Sequence, residues 1–520
     1  MAQVIERTEA VTDAARPAAR PRGTVVLVGG TGLAALLIFL LVKDSLTDDA
    51  YITLAYAKNV ATNLHWGLIP QEISNTATSP LNVLLLALVT AVTGIFGAVH
   101  PVLALGVVTV GLAMVMAWAW SRIVRALRLP IAAAVLGLAL VLLNPLLLSA
   151  VGLEVVLIPT VLLLMVAMAT EGRPLWFGVF AGLAMITRLD LIVFVLVIAF
   201  FTASIRRRLI RAVLGAVIAA GPWYVFSWFA LGSAIPDTLV IKTMQQGLFG
   251  VWSFTTGPVM YFLGRSLVIL LAFGGAVLGM FAVVGWLALR SAARWEESSL
   301  VRQLTPAAAL GFGGIAYYIV YSLMGVGPYH WYYVAPITSL SMFLAIAVGA
   351  WRTAAKEQAP HLKTRAPAVA LSLVALLGLG NLAVDAKQGV PWPSPPLFGN
   401  WASATDYARV AQEIGKRVGD KTVQSPGEIG TFAFYCQCAI VDEFSDRGVA
   451  LDKINRKIDT SGTIGKLALK INYKWLDRTA KPRPIDYRIE YAAGPANGPD
   501  SWTVFSAAKG TGHFTLVKAD

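Results

Sequence analysis

Two adjacent carboxylates, Asp48 and Asp49, follow an apolar run that ends near Val42. A charge at a membrane face is costly unless it is solvated or used, so this pair is the first candidate for chemistry. From Asp48 to about Ala61 the apolar residues Ile52, Ala55, Tyr56 and Val60 recur at helical spacing, with Thr53, Lys58 and Asn59 among them. That pattern fits a helix lying along the interface. The pair then occupies the first turn, where the helix dipole favours negative charge. Simple N-capping is the plainer reading of the same residues. The sharper one is a general base whose neighbour shifts its pKa through like-charge proximity.

The elements that must hold this pair are set by composition. A chain of 520 residues that is 57% hydrophobic and 14% charged is a polytopic membrane protein rather than a soluble one. Its formal charge of +13 argues for no nucleic-acid groove, because Lys and Arg cluster in the short segments between apolar runs, as the positive-inside pattern requires. The polar amino terminus, with Arg7, Arg16, Arg20 and Arg22, precedes a run at 24–42 that reads as a retained anchor passing outward from the cytoplasm. The arginine clusters at 122–128, 206–211, 290–302 and 352–365 fall on one side only if 80–97 does not cross. That segment is therefore expected as a half-buried or re-entrant juxtamembrane helix. The spans then run near 24–42, 101–121, 130–149, 155–170, 175–187, 191–205, 211–231, 268–290, 305–323, 332–350 and 366–384, about eleven in all, several of them short for a crossing.

With this parity, further polar groups join Asp48 and Asp49 at the outer membrane ends. These are Glu154 in Val151-Gly152-Leu153-Glu154, Arg188 and Asp190 in Thr187-Arg188-Leu189-Asp190, Asp237 and Lys242 around Pro236-Asp237-Thr238, and Tyr329 and His330 in Tyr329-His330-Trp331-Tyr332. Other readings compete. Glu154 and Arg188 suit a structural intramembrane ion pair, Lys242 a snorkelling anchor, and His330 part of an aromatic interfacial belt. Arg265 fits either kind of reading.

The order apolar anchor, Asp48-Asp49-Ala50-Tyr51-Ile52-Thr53, amphipathic helix, then Thr78-Ser79-Pro80-Leu81-Asn82 and a further apolar run resembles the first extracytoplasmic loop of the GT-C glycosyltransferases. These are polytopic enzymes that take a sugar from a polyprenyl phosphate. The chain is most similar to the actinobacterial arabinofuranosyltransferase-like branch, over roughly residues 45–340. Glu154 matches a GLE or GME element, Arg188 and Asp190 a TRP(D/E) element with Leu189 in place of the proline, and Asp237 and Lys242 a PNT or PDT element followed by lysine. The branch has an aromatic residue after the proline-leucine pair, where this chain has Asn82.

The resemblance implies an α-helical, GT-C-like transmembrane domain with juxtamembrane helices, and a membrane glycosyltransferase with Asp48 as general base and Asp49 beside it. Glycosyl transfer also needs cations for the departing phosphate, which points to Arg188, Lys242 and His330. Glu154, Asp190, Asp237 and Tyr329 are then substrate-binding candidates. The donor implied is a polyprenyl-phosphate sugar, by branch an arabinofuranose, and the acceptor an extracytoplasmic cell-envelope glycan or lipid-linked saccharide. No metal or other cofactor is required by these residues, since adjacent aspartates in a helix are poorly shaped for one. A transporter or flippase of lipid-linked saccharides would need similar cations, but also repeated broken helices, which the sequence lacks. A non-catalytic envelope scaffold is the third reading.

The layout expected is a cytoplasmic tail at 1–23, a transmembrane domain at 24–386 with its first extracytoplasmic loop at 43–100, a proline-rich linker at 387–397 and an extracytoplasmic soluble α/β domain at 398–520. The protein is thus placed in the plasma membrane with its amino terminus inside. Within the last domain a helix at 405–418, strands at 422–424, 439–442, 487–491, 502–506 and 513–517, and a turn at Pro426-Gly427-Glu428-Ile429-Gly430 are read from pattern. The only two cysteines, Cys436 and Cys438, are one residue apart, as a free pair or a small strained ring.

Overall fold

The computed structural model describes residues 21–95, 97–244, 249–291, 299–358 and 365–519. It is an α-helical polytopic membrane protein with a small C-terminal α/β domain. Seven helices are long and apolar enough to cross a membrane: Arg22–Val42, Pro101–Ala126, Leu209–Ala230, Gly257–Ser291, Thr305–Met324, His330–Ala355 and Arg365–Lys387. The four other expected spans are shorter apolar helices, Ile131–Leu142, Leu157–Thr170, Pro174–Thr187 and Leu189–Phe201. Side chains such as Leu33, Leu37, Val217, Phe281 and Leu376 are exposed on the long helices. They form the face that lipid covers. Leu157–Thr170, by contrast, is buried along almost its whole length and forms the middle of the bundle.

The segment expected as a juxtamembrane helix forms the helix Pro80–Gly94, of 15 residues. Near its start, Asn82 Nδ2 donates to Gly152 O at 3.2 Å. Leu105, in the first turns of the next helix, also lies against Gly152. The start of this helix and the first turns of Pro101–Ala126 thus lie at the same end of the bundle.

The first-loop helix runs Asp48–Asn63, two residues beyond the expected end, and closes on Leu64 in the left-handed region at φ 51°. The loop after it is tied back by Asn59 Nδ2 to Gly67 O at 2.9 Å and by the Tyr56 hydroxyl, which meets Ser74 Oγ at 2.6 Å and Thr76 Oγ1 at 2.8 Å.

The proline-rich stretch expected as a linker is folded down onto the bundle. Trp392 is 2% exposed, its N–H donates to Leu41 O at 2.9 Å and its indole Nε1 to Asp385 O at 2.8 Å. Burying an indole outweighs the looseness that proline composition suggests.

Beyond it lies a five-stranded mixed sheet of β1 (Thr422–Gln424), β2 (Ala439–Val441), β3 (Tyr487–Ala493), β4 (Ser501–Ser506) and β5 (Gly510–Lys518), in the order β2-β1-β3-β5-β4. β1 is parallel to β2 and β3, and β5 is antiparallel to β3 and β4. Helix Ala404–Val418 begins on Ser403, which accepts from Asp406 N as an N-cap. Three helices are additions to the sequence reading: Gly430–Cys436, Arg447–Thr460 and Thr463–Asn472. Cys436 and Cys438 are joined in a disulfide with Gln437 between them at φ 60°.

Candidate active site

The end of the bundle that carries the first loop meets the C-terminal domain around a cavity of about 590 Å³. Seven of the sequence candidates line it: Asp48, Asp49, Glu154, Arg188, Lys242, Tyr329 and His330. Asp190 and Asp237 are not among its lining residues.

Asp48 is 4% exposed, and its two oxygens are both taken. Oδ2 accepts from Gly430 N at 2.9 Å and Oδ1 from Thr431 N at 2.7 Å. The carboxylate therefore caps a helix of the C-terminal domain while sitting in the first turn of its own. Gly430 has to be glycine, because a Cβ there would lie 2.0 Å from Asp48 O. Burial pushes the Asp48 carboxyl up to about 6, against the two backbone N–H groups that favour its charge. Asn400 strengthens the junction, its Oδ1 accepting from Thr47 Oγ1 at 2.8 Å and Asp48 N at 3.3 Å.

Asp49 stands differently. Burial raises its pKa, and the facing Lys242 ammonium opposes that rise. Burial would lower the pKa of Lys242, but the Tyr332 phenol and the Asp49 carboxylate hold it above the ordinary lysine value. The ammonium lies over three rings, 5.1 Å from Tyr329, 5.6 Å from Tyr332 and 5.8 Å from Trp331. Such a cage supports a fixed positive charge at the cavity wall.

Arg188 is held from both sides. Nη1 donates to Glu154 Oε1 at 2.6 Å, and Nη2 to Asp190 Oδ2 at 2.6 Å and to Tyr321 Oη at 2.8 Å, with the guanidinium 5.0 Å from the Tyr332 ring. Two carboxylates already balance its charge, so Asp190 acts behind Arg188 rather than at the cavity. Glu154 reaches this place because Gly152 turns the chain at φ 106°, with its Cβ position only 2.5 Å from the Ala50 methyl. The small residues of the Asp48-Asp49-Ala50 and Gly152-Leu153-Glu154 segments thus let the two loops touch.

Asp237 is also behind the wall. Ser233 Oγ donates to its Oδ1 at 2.9 Å and its N–H donates to Asn75 O at 2.8 Å, with burial pushing its carboxyl up to about 6. Its neighbour Thr238 is the residue that faces the cavity. His330 is 8% exposed, and its Nε2 is buried with no hydrogen-bond partner among the described residues. An orphaned ring nitrogen at a cavity is a group that a ligand would satisfy.

Sequence reasoning passed over two contributors and left both readings open for a third, Arg265. Glu428 sits in the Pro426–Gly430 stretch, which reads only as a turn, and Asn400 has no motif. Arg265 lines the cavity where helix Gly257–Ser291 breaks, at φ −148° and ψ 62°. An arginine opening an apolar run was the one available signal for it. The described residues contain no group of three or more His, Cys, Asp or Glu that could hold a metal ion.

A multi-pass helical bundle with a polar cavity under an α/β domain is the GT-C architecture, and the chain has that fold. Two solved structures carry the comparison. One is the oligosaccharyltransferase of Archaeoglobus fulgidus tethered with an acceptor peptide containing the NVT sequon, 12% identical, with 91% of this chain and 69% of that chain covered and a TM-score of 0.51. The other is the arabinofuranosyltransferase AftD from Mycobacteria, also 12% identical, with 97% of this chain but 40% of that chain covered and a TM-score of 0.50. No family model and no curated protein matches the sequence.

Proposed function

We propose that this protein is a membrane glycosyltransferase that moves a sugar from a polyprenyl-phosphate donor to a cell-envelope glycan or lipid-linked acceptor, with arabinofuranose as the sugar. The observation that carries the reading is the cavity itself. It gathers a carboxylate pair, caged and paired cations and an unsatisfied histidine at one end of an apolar bundle. The likeness of fold to an oligosaccharyltransferase and an arabinofuranosyltransferase supports the class, and the branch resembled supports the sugar.

In this reading a carboxylate takes the proton of the acceptor hydroxyl as its oxygen attacks the anomeric carbon, and the C–O bond to the phosphate breaks with its electrons leaving on phosphate. Asp48 and Asp49 are the two candidates. The hydrogen bonds favour Asp49 for the proton, with Asp48 fastening the C-terminal domain, because both Asp48 oxygens already accept backbone N–H groups. Lys242 and His330 face the departing phosphate, and Arg188, oriented by Glu154 and Asp190, adds field from behind. The cavity opens on the extracytoplasmic side.

Transfer of a labelled sugar from a synthetic polyprenyl-phosphate arabinofuranose by purified protein tests this. Asp49→Asn is expected to slow turnover about 10²- to 10⁴-fold, the worth of a general base, while leaving donor binding intact. A folded Asp49→Asn protein with near wild-type turnover would return the base to Asp48. Absence of transfer and of donor binding by the wild type would remove the reading altogether.

A further inference from the structure

The C-terminal domain does more than cover the cavity, because one of its carboxyl groups forms part of the wall. Glu428 lines the cavity beside Asp48 and Asp49. Its Oε2 accepts from Trp401 N at 3.1 Å and from the Tyr407 hydroxyl. Both of these hydrogen bonds go to the same oxygen, and the Asn400 side chain is a further donor to the carboxyl. No Lys or Arg forms an ion pair with Glu428 among those residues, whereas the neighbouring Arg188 has two carboxylates.

We infer that Glu428 is a substrate-positioning residue that keeps its proton on Oε1 and donates it as a hydrogen bond to a hydroxyl oxygen of the acceptor sugar. The chemical argument starts from the hydrogen bonds. An ionised carboxylate can only accept, but a protonated one adds an O–H donor to a cavity whose other carboxyls are needed as acceptors. Oε2 receives two donors, which leaves Oε1 as the oxygen that carries hydrogen. The donors to Oε2 favour the charged form, and crowding opposes them, since Asp48 and Asp49 in the same wall disfavour a third charge.

The groups facing Glu428 are Asp48 and Asp49 from the first-loop helix, the Asn400 amide before the sheet domain, and Tyr407 from helix Ala404–Val418. Across the cavity stand Glu154 with Arg188, then Lys242, His330 and Arg265. Burial first, then the Asp48 charge, push the Glu428 carboxyl up to about 8, with the Trp401 N–H and the Asn400 side chain pulling the other way.

This inference rests on the transferase reading, and the experiment separates the two. Initial rates are measured from pH 6 to 10 with a synthetic polyprenyl-phosphate arabinofuranose donor and a panel of octyl glycoside acceptors, on wild type, E428Q and E428A, with folding followed by thermal unfolding. Acceptor kcat/KM of the wild type is expected to decline above about pH 8. E428A is expected to raise acceptor KM about 10- to 100-fold, the loss of one well-placed hydrogen bond, and to leave donor KM unchanged. E428Q keeps an N–H donor in that place. It is expected to recover most of the loss and to lack the alkaline decline. E428Q as poor as E428A, or an alkaline decline that persists in E428Q, overturns the inference alone. A wild type that neither binds donor nor transfers sugar overturns the transferase reading and this inference with it.

Discussion

At the scale of single residues, Asp48 joins the two parts of the molecule through two backbone hydrogen bonds, and Gly430 is the residue that permits them. Hydrogen bonds to a charged group contribute about 1.5–3 kcal/mol each, so Asp48→Ala is expected to destabilise the protein by several kcal/mol. Asp48→Asn, which retains one good acceptor, should cost less. Gly430→Ala should resemble Asp48→Ala although it removes no polar atom, because its Cβ cannot coexist with Asp48 O at 2.0 Å. The pH dependence follows from the raised carboxyls. Burial moves Asp48 from 3.8 up to about 6 and Glu428 from 4.5 up to about 8, so the folded protein binds protons more tightly than the unfolded chain. Each group adds no penalty below its unfolded pKa and a full penalty above its folded one, so stability falls as pH rises from about 4 to about 8. Thermal unfolding across that range is expected to show the decline in wild type. E428Q should flatten its upper part near pH 6–8, and a curve for E428Q parallel to wild type would contradict the raised Glu428 value.

At the scale of elements, the cavity depends on contacts between loops that are far apart in sequence. Gly152 at φ 106° packs against the Ala50 methyl two residues before Glu154, and Asn82 Nδ2 bonds Gly152 O. Gly152→Ala adds a methyl in a left-handed backbone and against the Ala50 methyl, an overpacking that costs about 1–3 kcal/mol before strain is counted. The expected result is a folded but less stable protein whose turnover drops at least tenfold, because Glu154 and Arg188 move together. Unchanged turnover would separate Gly152 from the site. These contacts explain what the sequence could and could not reveal. Apolar runs, arginine clusters and the Asp48-Asp49-Ala50 segment made the bundle, the first-loop helix and seven cavity residues readable, since each depends on local composition or spacing. Asp190 and Asp237 share the same end of the bundle but not the cavity, and parity alone cannot tell a wall from what lies behind it. Glu428 and Asn400 stayed hidden because their importance arises only when the C-terminal domain docks. The helix Gly430–Cys436 has no sequence signal because its aromatic run is short and its stability comes from burial and from Asp48 rather than from propensity.

At the scale of the whole molecule, the two ends of the bundle differ in charge and in company. Helix Leu157–Thr170 starts beside Glu154 at the cavity and ends at Glu171, where Arg122 forms an ion pair with that carboxylate. Arg122 and Arg125 close helix Pro101–Ala126, whose other end lies near Gly152. The arginine-rich end and the cavity end are therefore on opposite faces. In the proposed reading the first faces the cytoplasm, as the positive-inside rule expects, and Asp48, Lys242 and the sheet domain lie outside. The two native cysteines are already bridged, so single cysteines can be introduced at Arg125 and at Ser461 for labelling in intact cells with a membrane-impermeant maleimide. Ser461→Cys, on the C-terminal domain, is expected to label without permeabilisation, and Arg125→Cys only after it. The same side for both positions would mean that the bundle is not crossed as its helices imply. It would also leave the cavity without access to an extracytoplasmic acceptor, since one helical path from Glu154 to Glu171 separates the two ends. The reverse sidedness would keep the architecture and place the chemistry in the cytoplasm, where soluble nucleotide sugars rather than polyprenyl-phosphate sugars would be the donors to test.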